Sequence, residues 1–550
     1  MRQRCSFVTM VMTLVFVFFC GSQLLAKDLS GQKNPQNIWN GPKAKYTFFF
    51  IGDGMGLQQV SSAEAFLAAQ QKETKPGVVL LSFSQFADQG LSTTYSANSF
   101  ITDSAPAGTA LATGYKTDNG VIGVDPSKKY SFATIAELAK EAGQRVGIIS
   151  TVTLNHATPA SFYAHIPSRN SYYEIGEQLI ASGFDYFAGG GIHKSTAKDK
   201  AGNPREDLYQ VAEKKGFTVV RDRDSIMGLT ASKLPVIAVN GVLDGSNAMP
   251  YTLDQGDKDV TLAEFVQKGI ELLDNDKGFF MSVEGGKIDW ACHANDAAAS
   301  IHDTLALNDA VEVAIKFAAD HPDETLIVVT GDHETGGMSL GFSGTEYASF
   351  FDKIGHQKVS YISFDKEIAA LREAKGTAAT LDDIKGYVTE NFGLTFMSTD
   401  DYNALAAQAK ESKTKNIYNK LGMALSPAEQ QQISDALALS MAGEKNDAPD
   451  MQEFLLYGGY EPLSIQITHI LNNKAGIGWT SYAHTGIPVP VFASGVGSEL
   501  FRGYYDNTDV AWKIFSILGL DVPQPAPFTA HDIRRNAPQQ TAQLSSSYNN

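Results

Sequence analysis

Four short segments of the 550-residue chain carry side chains whose types and spacing could do chemistry together. Residues 102–110 read TDSAPAGTA, a serine just ahead of a run of small residues that favours a helix, with Pro106 suited to the first turn. The free N–H groups at a helix start attract an anion, so Ser104 could serve as nucleophile and phosphate neighbour at once. A serine at that position is more commonly a helix cap. Asp289-Trp290-Ala291-Cys292-His293 spaces an acid and an imidazole four apart, which puts both on one helical face, able to hold one ion. Asp332-His333 follows an apolar run, and in a loop both side chains can turn to one ion. His484, in Ala483-His484-Thr485-Gly486, adds an imidazole ahead of another apolar run. Each segment alone has an ordinary structural explanation. Together, carboxylates and imidazoles suit Zn2+, and all-oxygen sets suit Mg2+. Two ions roughly 4 Å apart can clamp an in-line phosphoryl displacement. A bound cation also supplies the deprotonation that a serine nucleophile needs.

These side chains need a frame. Residues 45–51, 146–150, 278–283, 325–330 and 488–493 are short apolar runs that read as buried strands, the last of them closing the series. Asp53, Glu284 and Asp332 each lie just past the end of one such run. Residues 131–142 form an amphipathic pattern with Gly143 as a stop, and a long helical stretch spans roughly 289–319. Strands alternating with helices imply an α/β fold, a three-layer αβα sandwich around a mainly parallel sheet. Such sheets bind ligands outside the carboxyl ends of their strands. Residues 340–480 differ: they lack strong buried strands and carry polar helices. Helix starts at Thr380-Leu381-Asp382-Asp383 and Ser426-Pro427-Ala428-Glu429 fit a capping pattern. This stretch reads as an insertion into a core made of residues 44–339 and 481–530.

Arg2 and Arg4 precede an apolar stretch at 6–19, a polar patch at 21–23 and Leu24-Leu25-Ala26. That order predicts an export signal, residues 1–26, cleaved after Ala26; fourteen apolar residues are too few to span a membrane. Cys20 offers a lipoprotein alternative, but Phe19 stands where a small residue is expected. The mature chain is thus expected in the periplasm or outside the cell, with no transmembrane segment. Residues 27–43 read as a polar arm, and 531–550 as a disordered Gln/Ser/Asn-rich tail. Removing the signal moves the net charge from −17 to −19. No basic stripe suggests a nucleic-acid partner, and an anion site must be built locally from metal or arginine. Two of the three cysteines lie in the signal, so Cys292 has no partner for an internal disulfide. Stability must come from core size or bound metal.

The motifs IGDGMG at 51–56, TDSAPAGTALATGYKTDNGVIGV at 102–124, HATPASFYAH at 156–165, EGGKIDWACH at 284–293, TGDHETGG at 330–337 and AHTG at 483–486 occur in one order and spacing. In these the chain resembles the bacterial, large-insert alkaline phosphatases over nearly all its mature length. The resemblance implies hydrolysis of phosphate monoesters through phosphorylated Ser104, with two Zn2+ and one Mg2+ per subunit. It implies that Asp289, His293 and His484 hold the first zinc, which delivers the attacking water. Asp53, Asp332 and His333 would hold the second, which lowers the pKa of Ser104. Asp53, Thr158 and Glu284 would hold the magnesium, with Asp53 bridging. Arg169, in HIPSRN, would clamp two phosphate oxygens, as guanidinium geometry suits. His156 and Trp290 stand where other members have Asp and Lys, beside metal and phosphate; a weaker magnesium site and faster product release are expected. A homodimer is implied, with 340–480 supplying a crown at the interface.

The competing readings are a metal-dependent phosphodiesterase of the same superfamily and a non-catalytic exported metal- or phosphate-binding protein. Pure binding has no need of Ser104, and a sulfatase would need a C/S-x-P-x-R context that residues 102–109 lack. No pocket for a leaving group is legible in the sequence, so broad specificity is expected. Cys292 reads as a small buried residue.

Overall fold

Tyr46–Gly52 (β1), YTFFFIG, is buried along its whole length because it lies inside a ten-stranded sheet with helices on both faces. The computed structural model describes residues 38–71, 78–199, 201–411, 420–443 and 451–528. The expected export signal, most of the arm and the tail lie outside these residues. The remaining strands of the sheet are Asp88–Ser92 (β2), Arg145–Ser150 (β3), Tyr186–Gly189 (β4), Thr218–Val220 (β5), Val236–Val239 (β6), Phe279–Glu284 (β7), Thr325–Gly331 (β8), Val489–Gly495 (β9) and Gly503–Tyr505 (β10). Their spatial order is β10-β2-β9-β8-β1-β7-β3-β4-β6-β5. Only β9 runs against the others: it is antiparallel to both neighbours, while every other pairing is parallel.

The alternation along β1 divides its aromatic side chains between two cores. Phe48 and Phe50 join one apolar cluster with the helices Leu57–Gln70, Leu262–Leu273 and Ala297–Asp320. Phe49 and Ile51 join another with Ser104–Thr113, Ile135–Glu141, Tyr172–Ala181 and Asn507–Leu518. Two cores on one sheet make the expected three-layer αβα sandwich. Each buried ring contributes roughly 1.5–3 kcal/mol of burial free energy relative to an exposed one.

Four details differ from the sequence reading. The helical stretch at 289–319 is two helices, Lys287–His293 and Ala297–Asp320. They are separated because Asn295 takes φ +52° and Asp296 caps the second helix through the Ala299 N–H. The helix expected from 131 begins at Ile135, where Thr134 and Glu137 form a capping box. The run at 488–493 is not the final strand, since β10 and the short Ala526–Pro527 follow it. Strands β2, β4, β5 and β6 were not anticipated; none exceeds five residues, too short for a clear pattern.

Residues 340–480 are mostly helical, with capping boxes at Thr380/Asp383 and Ser426/Glu429 as the sequence suggests. Among the described residues this region packs into the sheet's cluster and, with Tyr251, Ala291, Ala294 and Ala299, into a smaller one containing Tyr361, Ala436, Tyr457 and Ile465. Phe364, Ile368, Ile384 and Leu463 belong to the same apolar cluster as Phe48.

Candidate active site

Register explains how the acids meet. Ile51 on β1 lies opposite Glu284 on β7 and Thr330 on β8, and Gly52 opposite Gly331. Asp53, Asp332 and Glu284 therefore leave three adjacent strands at one edge of the sheet. His484 reaches the same edge by the reversal of β9, which brings the start of that strand to where its neighbours end. There His484–Thr485 pairs with Glu334–Thr335, Thr335 opposite His484. Gly54, at φ +71°, lets the loop after β1 approach the helix carrying Asp289; a Cβ there would lie 2.9 Å from the Asp289 Cα.

Three groups of donor atoms result, each drawn together within 4.8 Å: Asp289, His293 and His484; Asp53, Asp332 and His333; and Asp53, Glu284 and His156. In the first, His293 Nε2 is 3.4 Å from Asp289 Oδ1 and 3.1 Å from His484 Nε2. Their other ring nitrogens face carbonyls, His293 Nδ1 at 2.6 Å from Tyr482 O and His484 Nδ1 at 2.8 Å from Thr102 O. In the second, His333 Nε2 is 3.3 Å from both Asp53 Oδ1 and Asp332 Oδ2. The Gly54 and His333 N–H groups donate to Asp332 Oδ1. In the third, Thr158 Oγ1 donates to Asp53 Oδ2 at 3.4 Å, and Ser150 Oγ donates to Glu284 Oε2. The expected Thr158 is thus in place, and His156 is nearer than expected: its ring nitrogen lies among the donors.

Asp53 Oδ1, Asp332 Oδ2 and Glu284 Oε1 are buried and make no hydrogen bond, although the shared His333 Nε2 lies 3.3 Å from the first two. Unpaired buried carboxylates are costly, and the carboxyls respond by holding their protons. Burial first, then the neighbouring carboxylates, pushes Asp53 and Asp332 well above the usual range. Burial pushes Glu284 up to about 7. Asp289 goes the other way: burial would raise it, but His293, His484 and His333 outweigh that and hold it well below the usual range. Burial would lower His293, but Asp289 outweighs it and raises that ring to about 9, while burial lowers His333 and His484. Buried acids beside imidazoles fit divalent cations.

Ser104 opens its helix, but Asp103 is the cap, accepting from the Ala105 N–H at 2.7 Å. The serine hydroxyl is free of the capping role and lies 3.3 Å from His333 Nε2. Arg169 is held by Asp103 Oδ1 at 3.0 Å and faces His156 Nε2 at 3.1 Å. Burial first, then Arg169, lowers His156 to about 3, so its ring is neutral and can donate a lone pair. Trp290 stands edge-on to His156, ring centroids 5.9 Å apart. Behind it the buried Lys287 pairs with Asp244 at 2.7 Å, its Nζ 4.8 Å from the indole ring. Cys292 points away from the site, with Sγ 3.2 Å from Ser300 Oγ.

Several contributors were not read from the sequence. Thr335 donates to Asp289 Oδ1 at 2.5 Å and lies 3.3 Å from His333 Nδ1, joining two donor groups. Its place two residues after His333 was the available signal. Asp103 was hidden by its neighbour Ser104. Tyr361 and Tyr460, which line the same pocket as Ser104, carry no local signal at all.

Residues 44–520 match the family model for alkaline phosphatase. The chain is 30% identical over 495 residues to alkaline phosphatase 3 of Bacillus subtilis (strain 168), covering 88% of this chain and 91% of that protein. It is 27% identical over 520 residues to alkaline phosphatase 4 of the same organism, covering 93% and 96%. Among solved structures it resembles the cold-active enzyme of a psychrophilic Shewanella sp., with TM-score 0.67, 29% identity, and 86% and 99% of the two chains covered. The Thermus thermophilus enzyme gives TM-score 0.69 at 25% identity, covering 90% and 96%.

Proposed function

The chain belongs to the alkaline phosphatase family, and on that premise we propose that it hydrolyses phosphate monoesters through a phosphoserine on Ser104. Asp289, His293 and His484 would hold one zinc, Asp53, Asp332 and His333 a second, and Asp53, Thr158 and Glu284 a magnesium. The observation that carries this is the set of buried oxygens on Asp53, Asp332 and Glu284 that make no hydrogen bond, beside Ser104. When bound, such ions would neutralise phosphate charge and favour deprotonation of the serine and of the water that follows.

The chain's own groups do the rest. Ser104 Oγ attacks phosphorus in line, and the bond to the leaving oxygen breaks as the new one forms. Arg169, steered by Asp103, clamps phosphate oxygens, and free N–H groups at the start of the Ser104–Thr113 helix add donors. Water then displaces Ser104 and releases phosphate. The burial of Ser104, 1% exposed, keeps bulk water from competing with the ester. His156 adds a nitrogen donor to the third group, so zinc is expected to compete with magnesium there.

The test is turnover of p-nitrophenyl phosphate against bis(p-nitrophenyl) phosphate, with and without chelator. Chelator-sensitive monoester turnover is expected; its absence would refute the reading, and faster diester turnover would favour a phosphodiesterase. Among the described residues no helix is long and apolar enough to cross a membrane. Export with cleavage after Ala26, and a homodimer built through residues 340–480, belong to the same proposal.

A further inference from the structure

The pocket that holds Ser104 is larger than a phosphoryl group needs, and three of its lining residues are aromatic. Its volume is about 380 Å3, inside the roughly 300–1,000 Å3 typical of sites for small organic molecules. Its lining includes Ser104, Arg169 and His484 together with the three aromatic residues Trp290, Tyr361 and Tyr460. Tyr361 and Tyr460 meet edge to face, centroids 5.8 Å apart at 89°.

Each of these rings is fixed from behind. The Tyr361 N–H donates to Asp296 Oδ2 at 2.9 Å, and its hydroxyl accepts from Tyr251 at 3.4 Å. Tyr460 follows Gly458 and Gly459, both in the left-handed region at φ +63° and +82°. Only a glycine at 458 leaves room for the Tyr482 ring, on which the turn rests. Trp290 is backed by Lys287 and flanked by His156. A preorganised aromatic wall binds a flat ring at low entropic cost. A sugar or polyol would instead need many polar partners. Beyond the residues named for metal and phosphate, the pocket offers only Ser246 and the hydroxyls of Tyr361 and Tyr460.

We propose that Trp290, Tyr361 and Tyr460 form a leaving-group subsite that favours phosphate monoesters of planar aromatic alcohols. This rests on the monoesterase reading above and gives that site a preference the sequence did not suggest. The probes are phenylphosphonate and cyclohexylphosphonate, close in size but differing in planarity, used as competitive inhibitors of p-nitrophenyl phosphate turnover by the metal-loaded enzyme. Phenylphosphonate should bind about tenfold more tightly, the scale of one stacking contact. Tyr460→Ala and Tyr460→Leu should bring the ratio of inhibition constants near one, and Tyr460→Phe should keep it. A ratio near one in the unsubstituted enzyme, or one that Tyr460→Ala and Tyr460→Leu leave unchanged, would overturn the subsite alone. Absence of monoester turnover by the unsubstituted enzyme would overturn the monoesterase reading, and the subsite with it.

Discussion

Two of the three donor groups beside Ser104 are built from different material. Asp53, Asp332 and His333 hang from the ends of β1 and β8, and all three are fully buried. Asp289, His293 and His484 come from a seven-residue helix and the two-residue strand His484–Thr485, and both imidazoles are partly exposed. The first group is positioned by the hydrogen-bonded ladder of adjacent parallel strands. The second leans on the Tyr482 and Thr102 carbonyls, and Tyr482 in turn donates to Leu456 O in the helical region 340–480. A sheet edge can fix a group that must not move. A group built from a short helix and a two-residue strand facing the pocket can tolerate exchange of leaving group and water.

The largest effect expected from this contrast is in catalysis. Asp332→Ala should lower kcat/KM for p-nitrophenyl phosphate on the order of 10³-fold or more, and His484→Ala by about 10²-fold. Metal analysis of both variants should show the deeper loss in the first. Equal losses would erase the distinction.

The next effect is on the stability of metal-free protein. Asp53, Asp332 and Glu284 have folded pKa values raised above their unfolded ones. Their contribution is therefore fully present at low pH and lost as pH rises through the folded values, which for Glu284 means from about 4.5 to about 7. Asp289 is shifted down and adds no loss in that window. The buried His156, His333, His469 and His484 are shifted down and oppose this as pH rises toward 6.5, so the acid contribution is read as a difference. Calorimetry of chelated protein should show Glu284→Gln gaining Tm relative to the unsubstituted chain as pH rises from about 4.5 to about 7; a difference that does not change with pH would contradict the raised Glu284.

A smaller effect concerns Trp290, which lines the pocket beside His156. Trp290→Lys adds a cation near phosphate and should strengthen inhibition by inorganic phosphate about two- to fivefold, the worth of one part-exposed charge pair. Unchanged or weaker inhibition would show that the aromatic ring is not what sets product release.

The strand-end acids were legible because each follows an apolar run, and the pairing register that unites them follows from a parallel sheet. Helical spacing put Asp289 and His293 on one face, but only the other motifs and the resemblance gave the pair a role. His484 gained a role only by resemblance, because the reversal of β9 that delivers it is a property of topology and not of local pattern. His156 was expected beside the metals, and the backbone turn at 153–156 brings its ring among the donors. Tyr361 and Tyr460 were illegible for a plainer reason: they meet the pocket only because the 340–480 region packs back onto the core.

The central claim is that Ser104 carries the phosphoryl group. Rapid acid quench of the metal-loaded enzyme during turnover, followed by mass spectrometry of its peptides, tests it directly. The account predicts phosphate on the peptide containing Ser104 and neither adduct nor appreciable turnover in Ser104→Ala. Phosphate on another residue, or full turnover by Ser104→Ala, would contradict it.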